Sequence, residues 1–373
     1  MAGTRLTTLD GVRLGVEAAI VEGVLVQGDV EVADGRVAAV ALAGQRGGGI
    51  AVPGFVDLQV NGFAGVDFAS ADAGGYRRAG EALLATGVTA YQPTFITAPE
   101  DELVAALREV PAQTAAPRIL GVHLEGPFIS PARLGIHPAS ARRDPDRRLL
   151  ERLLAAGPVA QLTLAPELAG ALELVDVLRA RGVVVSCGHS DATAEEAGRA
   201  FDRGATTVTH LFNAMRPLAH RDPGIVGTAL ARDDVVVQLI VDGHHLADEV
   251  VRFVGRAAPG RVALVTDAIA AAGMGDGVFR LGSVEVDVRD GVARGPGGML
   301  GGSTVTMIEA VRRLHAAGVS LVESVAAAST VPARVSGRTP GTLRVGNRAD
   351  IVVIDDRLDI RAVFAGGSER FAA

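Results

Sequence analysis

The chain has 373 residues, and all 36 of its basic residues are Arg, set against 43 acidic ones for a formal net charge of −7. With no Lys in the sequence, Schiff-base chemistry, a phosphate-loop Lys and a carbamylated Lys bridging two metals are excluded. One Cys, Cys187, leaves no disulfide framework and no Cys-rich zinc site, and the mild acidity argues against a general nucleic-acid binder.

The N-terminus shows no basic segment followed by an apolar block, and no apolar run reaches the ~18 residues of a membrane span, so a cytoplasmic protein is expected. Residues 18–43 read as short strands. Within them Asp34-Gly35, between alternating apolar residues, signals a type I′ hairpin. Further on, apolar stretches suited to buried parallel strands recur at 54–61, 88–95, 119–126, 159–167, 183–190, 207–214, 235–243 and 262–269. Between them lie segments of helical period, such as Tyr76–Ala85, Asp101–Val110, Leu149–Ala156 and Ala194–Arg203. Eight strand–helix units predict an α/β protein, a (β/α)8 TIM barrel over 52–336. A doubly wound sheet is disfavoured because no Gly-x-Gly-x-x-Gly opens the first unit. Gly295–Gly302 reads as a loop. Strand patterns return at Ala349–Asp355 and Arg361–Phe364, so both termini are expected to form one small β-sandwich domain, 1–51 with 337–373.

Polar residues gather at the C-terminal ends of these strands, where barrels do their chemistry. They are Asp57, Gln59 and Asn61; His123 and Glu125; His189; His210 and Asn213; Asp242, His244 and His245; and Asp267. A single strand His is more often structural than a ligand, but several His and a Glu at one mouth point to a metal. The best set is Glu125, His189 and His210, two imidazoles and a carboxylate that leave a position open for water. Asp267 is then the carboxylate that takes the water proton and returns it to the leaving group. Strand alternation turns Cys187 into the barrel, too deep for a nucleophile, and assigns His244 a structural place facing away from His245.

Several runs carry a family. Pro53-Gly54-Phe55-Val56-Asp57 and Gly341–Val352 resemble the opening strand and C-terminal β motif of the amidohydrolase superfamily. Within it, six ordered runs resemble the N-acetylglucosamine-6-phosphate deacetylase family: His123–Phe128, Thr163–Glu167, Gly188-His189-Ser190, Thr209–Met215, Val265–Ala268 and Gly302–Met307. The resemblance implies hydrolysis of the acetamide of N-acetylglucosamine 6-phosphate, in amino-sugar catabolism or recycling. It implies His137 near the scissile carbonyl. It also implies Asn213, the Ala214 backbone, Arg221 and His245 around the sugar phosphate, part of that set coming from a neighbouring subunit of a homodimer.

Where many superfamily members carry a metal-binding His-x-His on the first strand, this chain has Gln59 and Asn61. Neutral amides are poor ligands for a divalent transition metal, so one ion per subunit is expected, zinc by preference, with Fe²⁺, Mn²⁺ and Co²⁺ compatible with the donors. Gln59 and Asn61 are expected to hydrogen-bond in the mouth, toward substrate or water. The loop Ser130–Ala139 is a candidate to close over substrate. Two alternatives stand beside this reading: a deacetylase for N-acetylgalactosamine 6-phosphate or another amidohydrolase, and a metal-free barrel serving as a scaffold.

Overall fold

A computed structural model describes residues 11–43, 47–112, 116–339 and 341–372. The apolar stretches become the strands β1 (Phe55–Val60), β2 (Val88–Ile96), β3 (Val122–Glu125), β4 (Val159–Leu164), β5 (Val184–Cys187), β6 (Thr207–Val208), β7 (Val236–Leu239) and β8 (Val262–Leu264). Each pairs in parallel with the next. The ring closes between the segment after β8 and β1. There the Asp267 N–H donates to the Gln59 carbonyl at 2.9 Å and the Asn61 N–H to the Ala268 carbonyl at 2.8 Å. On the same seam the Asp57 carboxylate accepts from the Thr266 N–H at 3.2 Å and the Thr266 hydroxyl at 2.6 Å.

Helices follow the strands: α1 (Ala73–Ala85), α2 (Glu100–Glu109), α3 (Arg147–Ala156), α4 (Ala171–Ala180), α5 (Ala194–Arg203), α6 (Gly224–Ala231), α7 (Asp248–Ala257) and α8 (Met307–Ala316). Their starts are written in the sequence. Asp146 caps α3, and Thr193 with Glu196 forms a capping box on α5. Leu149, Leu150 and Leu153 of α3 bury one stripe, as three- and four-residue spacings require. They join Leu124, Leu162, Val185 and Leu239 of the strands in one apolar layer. Two last helices, α9 (Leu321–Ala328) and α10 (Thr330–Ser336), complete the barrel. From α10, Val331 packs on Val236 and Ala263, near the start of their strands.

Inside the barrel the layer beneath the mouth is polar. His123 Nε2 lies 2.7 Å from Thr163 Oγ1, which lies 2.7 Å from Thr209 Oγ1, itself 2.5 Å from Ser186 Oγ. Because Ser186 faces inward, its neighbour Cys187 faces outward, into the apolar layer under the helices. This corrects the expectation that Cys187 points into the barrel, and burial pushes its thiol well up from the ordinary value. The expectation failed because β5 ends at Cys187 and alternation does not carry through to His189.

The chain ends form two sheets. Ala18–Val21, Val24–Gln27 and Ile50–Pro53 join Ile351–Ile354, Ile360–Ala365 and Ser368–Ala372 in one. Val12–Arg13, Asp29–Ala33 and Arg36–Leu42 make the other, and Val30, Val32 and Val37 pack on Ala19, Ala51, Ile351 and Val353 between them. Asp34 and Gly35 turn the hairpin with φ of 50° and 72°, as a type I′ turn demands. One sheet was not expected. Gly277–Leu281, Val284–Arg289 and Val292–Arg294 form an antiparallel meander after β8, packed through Leu281, Val286 and Val288 on Ile96 and Ile269.

Candidate active site

The mouth holds a cavity of about 270 Å³. Its polar wall is Glu125, His137, His189, His210, Asn213, His245 and Asp267; its apolar wall includes Ile96, Ile136, Leu281, Met299 and Leu300. Glu125 ends β3 pointing inward, while His189, His210 and Asp267 stand beyond their shortened strands in the left-handed region, with φ of 48°, 31° and 49°. Such backbone is uncommon for residues with a Cβ and persists where surrounding structure enforces it, often at functional sites. Here it swings two imidazoles and a carboxylate over the mouth. Gly135 also adopts a positive φ, 57°, and a Cβ there would lie 3.3 Å from the His189 ring.

Three donors converge. The Nε2 atoms of His189 and His210 lie 3.0 and 2.8 Å from the same Glu125 Oε1 and 3.1 Å from each other. His189 Nδ1 sits 3.0 Å from the Arg133 carbonyl, an acceptor only, so Nδ1 holds the proton and the Nε2 lone pair faces the centre. Two inward nitrogens and a carboxylate oxygen at this spacing suit a tetrahedral N/O ion such as zinc. Burial works to raise the Glu125 carboxyl, but the neighbouring His137, His189 and His210 hold it well below the ordinary carboxylate value.

His137 has the opposite tautomer. The Thr97 N–H points at its Nδ1 from 3.3 Å and Thr97 Oγ1 lies 2.9 Å away, so Nδ1 accepts and Nε2–H faces the site, 3.6 Å from Glu125 Oε2. Burial, then the neighbouring His189, lowers its pKa to about 4, which makes it a neutral donor at pH 7. Asp267 is raised to about 7 by burial and by the charge of Glu125. Its Oδ1 accepts from Asn61 Nδ2 at 2.6 Å and from Gln59 Nε2 at 3.1 Å. The amide nitrogens of Gln59 and Asn61 are thus engaged with Asp267, and neither residue lines the cavity.

A sequence profile of the amidohydrolase family matches residues 50–372. The chain belongs to the amidohydrolase family. This amidohydrolase is 42% identical over 341 residues to a Homo sapiens N-acetylglucosamine-6-phosphate deacetylase, spanning 86% of this chain and 83% of that protein. It is 34% identical over 359 residues to an Escherichia coli O157:H7 N-acetylgalactosamine-6-phosphate deacetylase, spanning 93% and 95% of the two. It superposes with a TM-score of 0.93 on an N-acetyl-D-glucosamine-6-phosphate deacetylase mutant from Mycobacterium smegmatis, solved with N-acetyl-D-glucosamine-6-phosphate. The two chains are 36% identical, and 97% of this chain and all 100% of that one are covered.

The remaining candidates divide. Asn213, Ala214 and His245 line the cavity. Arg221 does not: it is exposed at the tip of a tight turn in which Ala219 and Asp222 exchange backbone hydrogen bonds of 3.0 and 3.1 Å. His244 is exposed, and His123 stays in the barrel interior. Several positioning roles were not legible in the sequence. Thr97 sets the His137 tautomer and the Arg133 carbonyl sets that of His189. Asp242 binds His245 Nδ1 at 2.7 Å, and the Asp242 carboxyl lies near 2 because those bonds outweigh the burial that would raise it. Ile136, Leu281 of the unexpected meander, and Met299 and Leu300 of the segment after it join Ile96 in the apolar wall.

Proposed function

We propose that this amidohydrolase removes the acetyl group of N-acetylglucosamine 6-phosphate, giving glucosamine 6-phosphate and acetate. The observation that carries the reading is the convergence of Glu125, His189 and His210 in the same cavity as a buried Asp267. The deacetylase relatives, two fifths identical over most of the chain, support the substrate class.

Glu125, His189 and His210 would hold one divalent ion, with zinc our assignment. When bound, such an ion lowers the pKa of water and polarises a carbonyl oxygen. Asp267 takes a proton from the attacking water as its oxygen bonds to the acetyl carbon. It then delivers that proton to the nitrogen as the C–N bond breaks. The His137 Nε2–H donates to the carbonyl oxygen, where negative charge develops. Asn213, the Ala214 backbone and His245 hold the sugar phosphate. Arg221, exposed away from its own cavity, reaches the phosphate of a neighbouring subunit, so the working form is a homodimer in the cytoplasm. Acetate release from both N-acetylhexosamine 6-phosphate epimers tests the reading. Turnover of the gluco substrate supports it, a preference for the galacto epimer moves the assignment to that relative, and no hydrolysis of either overturns it.

A further inference from the structure

We propose that Gln59 and Asn61 act as an amide clamp that fixes Asp267 by one oxygen, so that the same remaining oxygen both receives and returns the proton. The inference deepens the reading above and rests on Asp267 as its general base. Both side-chain amides aim at Oδ1, from 3.1 and 2.6 Å, while Oδ2 accepts no hydrogen bond from the described residues. The backbone that carries the two amides is itself held. The main-chain carbonyl of Gln59 accepts from the Asp267 N–H, and the main-chain N–H of Asn61 donates to the Ala268 carbonyl, so β1 and the segment after β8 lock together around the carboxylate.

The direction of the amides matters. Their oxygens, Gln59 Oε1 and Asn61 Oδ1, are buried without a partner among the described residues. Rotating either amide would set an acceptor against a carboxylate that can only accept when ionised. Two N–H groups on Oδ1 occupy its accepting directions and exclude a proton there. The proton drawn from water therefore sits on Oδ2, and the carboxylate need not rotate before giving it to the amine. The clamp also favours the ionised carboxylate, opposing the burial and the Glu125 charge that disfavour it.

The test uses the metal-loaded full chain with Gln59→Met and Asn61→Leu, which remove the donors at similar size, and Asn61→Asp, which replaces one donor with a second carboxylate. Steady-state kinetics against pH and metal content are measured for each. The expected result is a kcat lowered ~10–100-fold, the range for residues that orient a catalytic group, with KM within about twofold and one metal retained. The acid limb of kcat should move to higher pH in Gln59→Met and Asn61→Leu, and further in Asn61→Asp. Parental kcat and pH profile in the variants would overturn the clamp, as would loss of metal in step with activity, which would make the pair a support of the ion. Should Asn61→Leu not fold, Gln59→Met and the isosteric Asn61→Asp decide alone. A parent chain that releases no acetate would instead defeat the functional reading.

Discussion

Replacing Asp267 with Asn removes a proton acceptor and changes little else. The new Oδ1 can keep both hydrogen bonds, now 2.6 Å from Asn61 and 3.1 Å from Gln59, and the amide nitrogen takes the place of Oδ2. Glu125, His189 and His210 are untouched, so metal content should stay at the parental level. What disappears is general base and general acid together. One positioned group of this kind is worth ~10²–10⁴-fold, and a group serving both half-steps belongs at the upper end, a loss of roughly 4–5 kcal/mol of transition-state stabilisation. The parent should show an acid limb as Asp267 ionises, at or below its value of about 7 because a bound cation favours the carboxylate. Acetate release measured against pH, with metal content, should give Asp267→Asn a kcat at least ~10³-fold down, no such limb, and KM changed only a few-fold. A variant that keeps its metal and turns over within about tenfold of the parent would refute the role of Asp267.

Three further outcomes follow from single residues. Asp57 is fully buried on the barrel seam and raised from 3.8 to about 7 by that burial, which costs about 4 kcal/mol when it ionises in the fold. Its folded value lies above its unfolded one, so this contribution to stability is complete below pH 3.8 and is lost as pH rises to about 7. Urea unfolding should show a steeper decline over that range in the parent than in Asp57→Asn, which keeps the contribution of Asp267; an identical pH dependence would contradict it. Thr97→Val keeps the backbone N–H but removes the hydroxyl 2.9 Å from His137, and should lower kcat by ~10-fold without changing metal content, measured by acetate release. Arg221→Ala should raise KM for the phosphorylated sugar by ~10–100-fold and leave unphosphorylated N-acetylglucosamine nearly unchanged; equal effects on both would remove Arg221 from the phosphate.

Much of the frame was legible because it rests on local rules. Apolar stretches separated by helical period mark β1 to β8, and Asp34-Gly35 marks its hairpin. The polar residues at strand ends mark the mouth. The meander over that mouth carries the same signal, since Asp290-Gly291 turns with φ of 50° and 73° between strands, yet no element was expected in that stretch. The orientation of Cys187 was misread for a different reason. Alternation holds only inside a ladder, and β5 stops two residues short of His189, whose left-handed backbone redirects the side chain. The contacts that tune the site were not legible at all. Gln59 and Asn61 reach Asp267 across 208 and 206 residues, and Thr97 reaches His137 across 40. Barrel closure creates those pairs, and no spacing along the chain announces them.

The central claim is that one divalent ion, held by Glu125, His189 and His210, supports deacetylation with Asp267 as its base. Metal analysis and acetate release measured on the same preparation test it most directly. One equivalent of ion per chain should accompany hydrolysis of N-acetylglucosamine 6-phosphate, chelation should abolish both, and restoring the ion should return both. Full activity in the chelated protein, or no hydrolysis of the phosphorylated sugar with the ion bound, would contradict the claim.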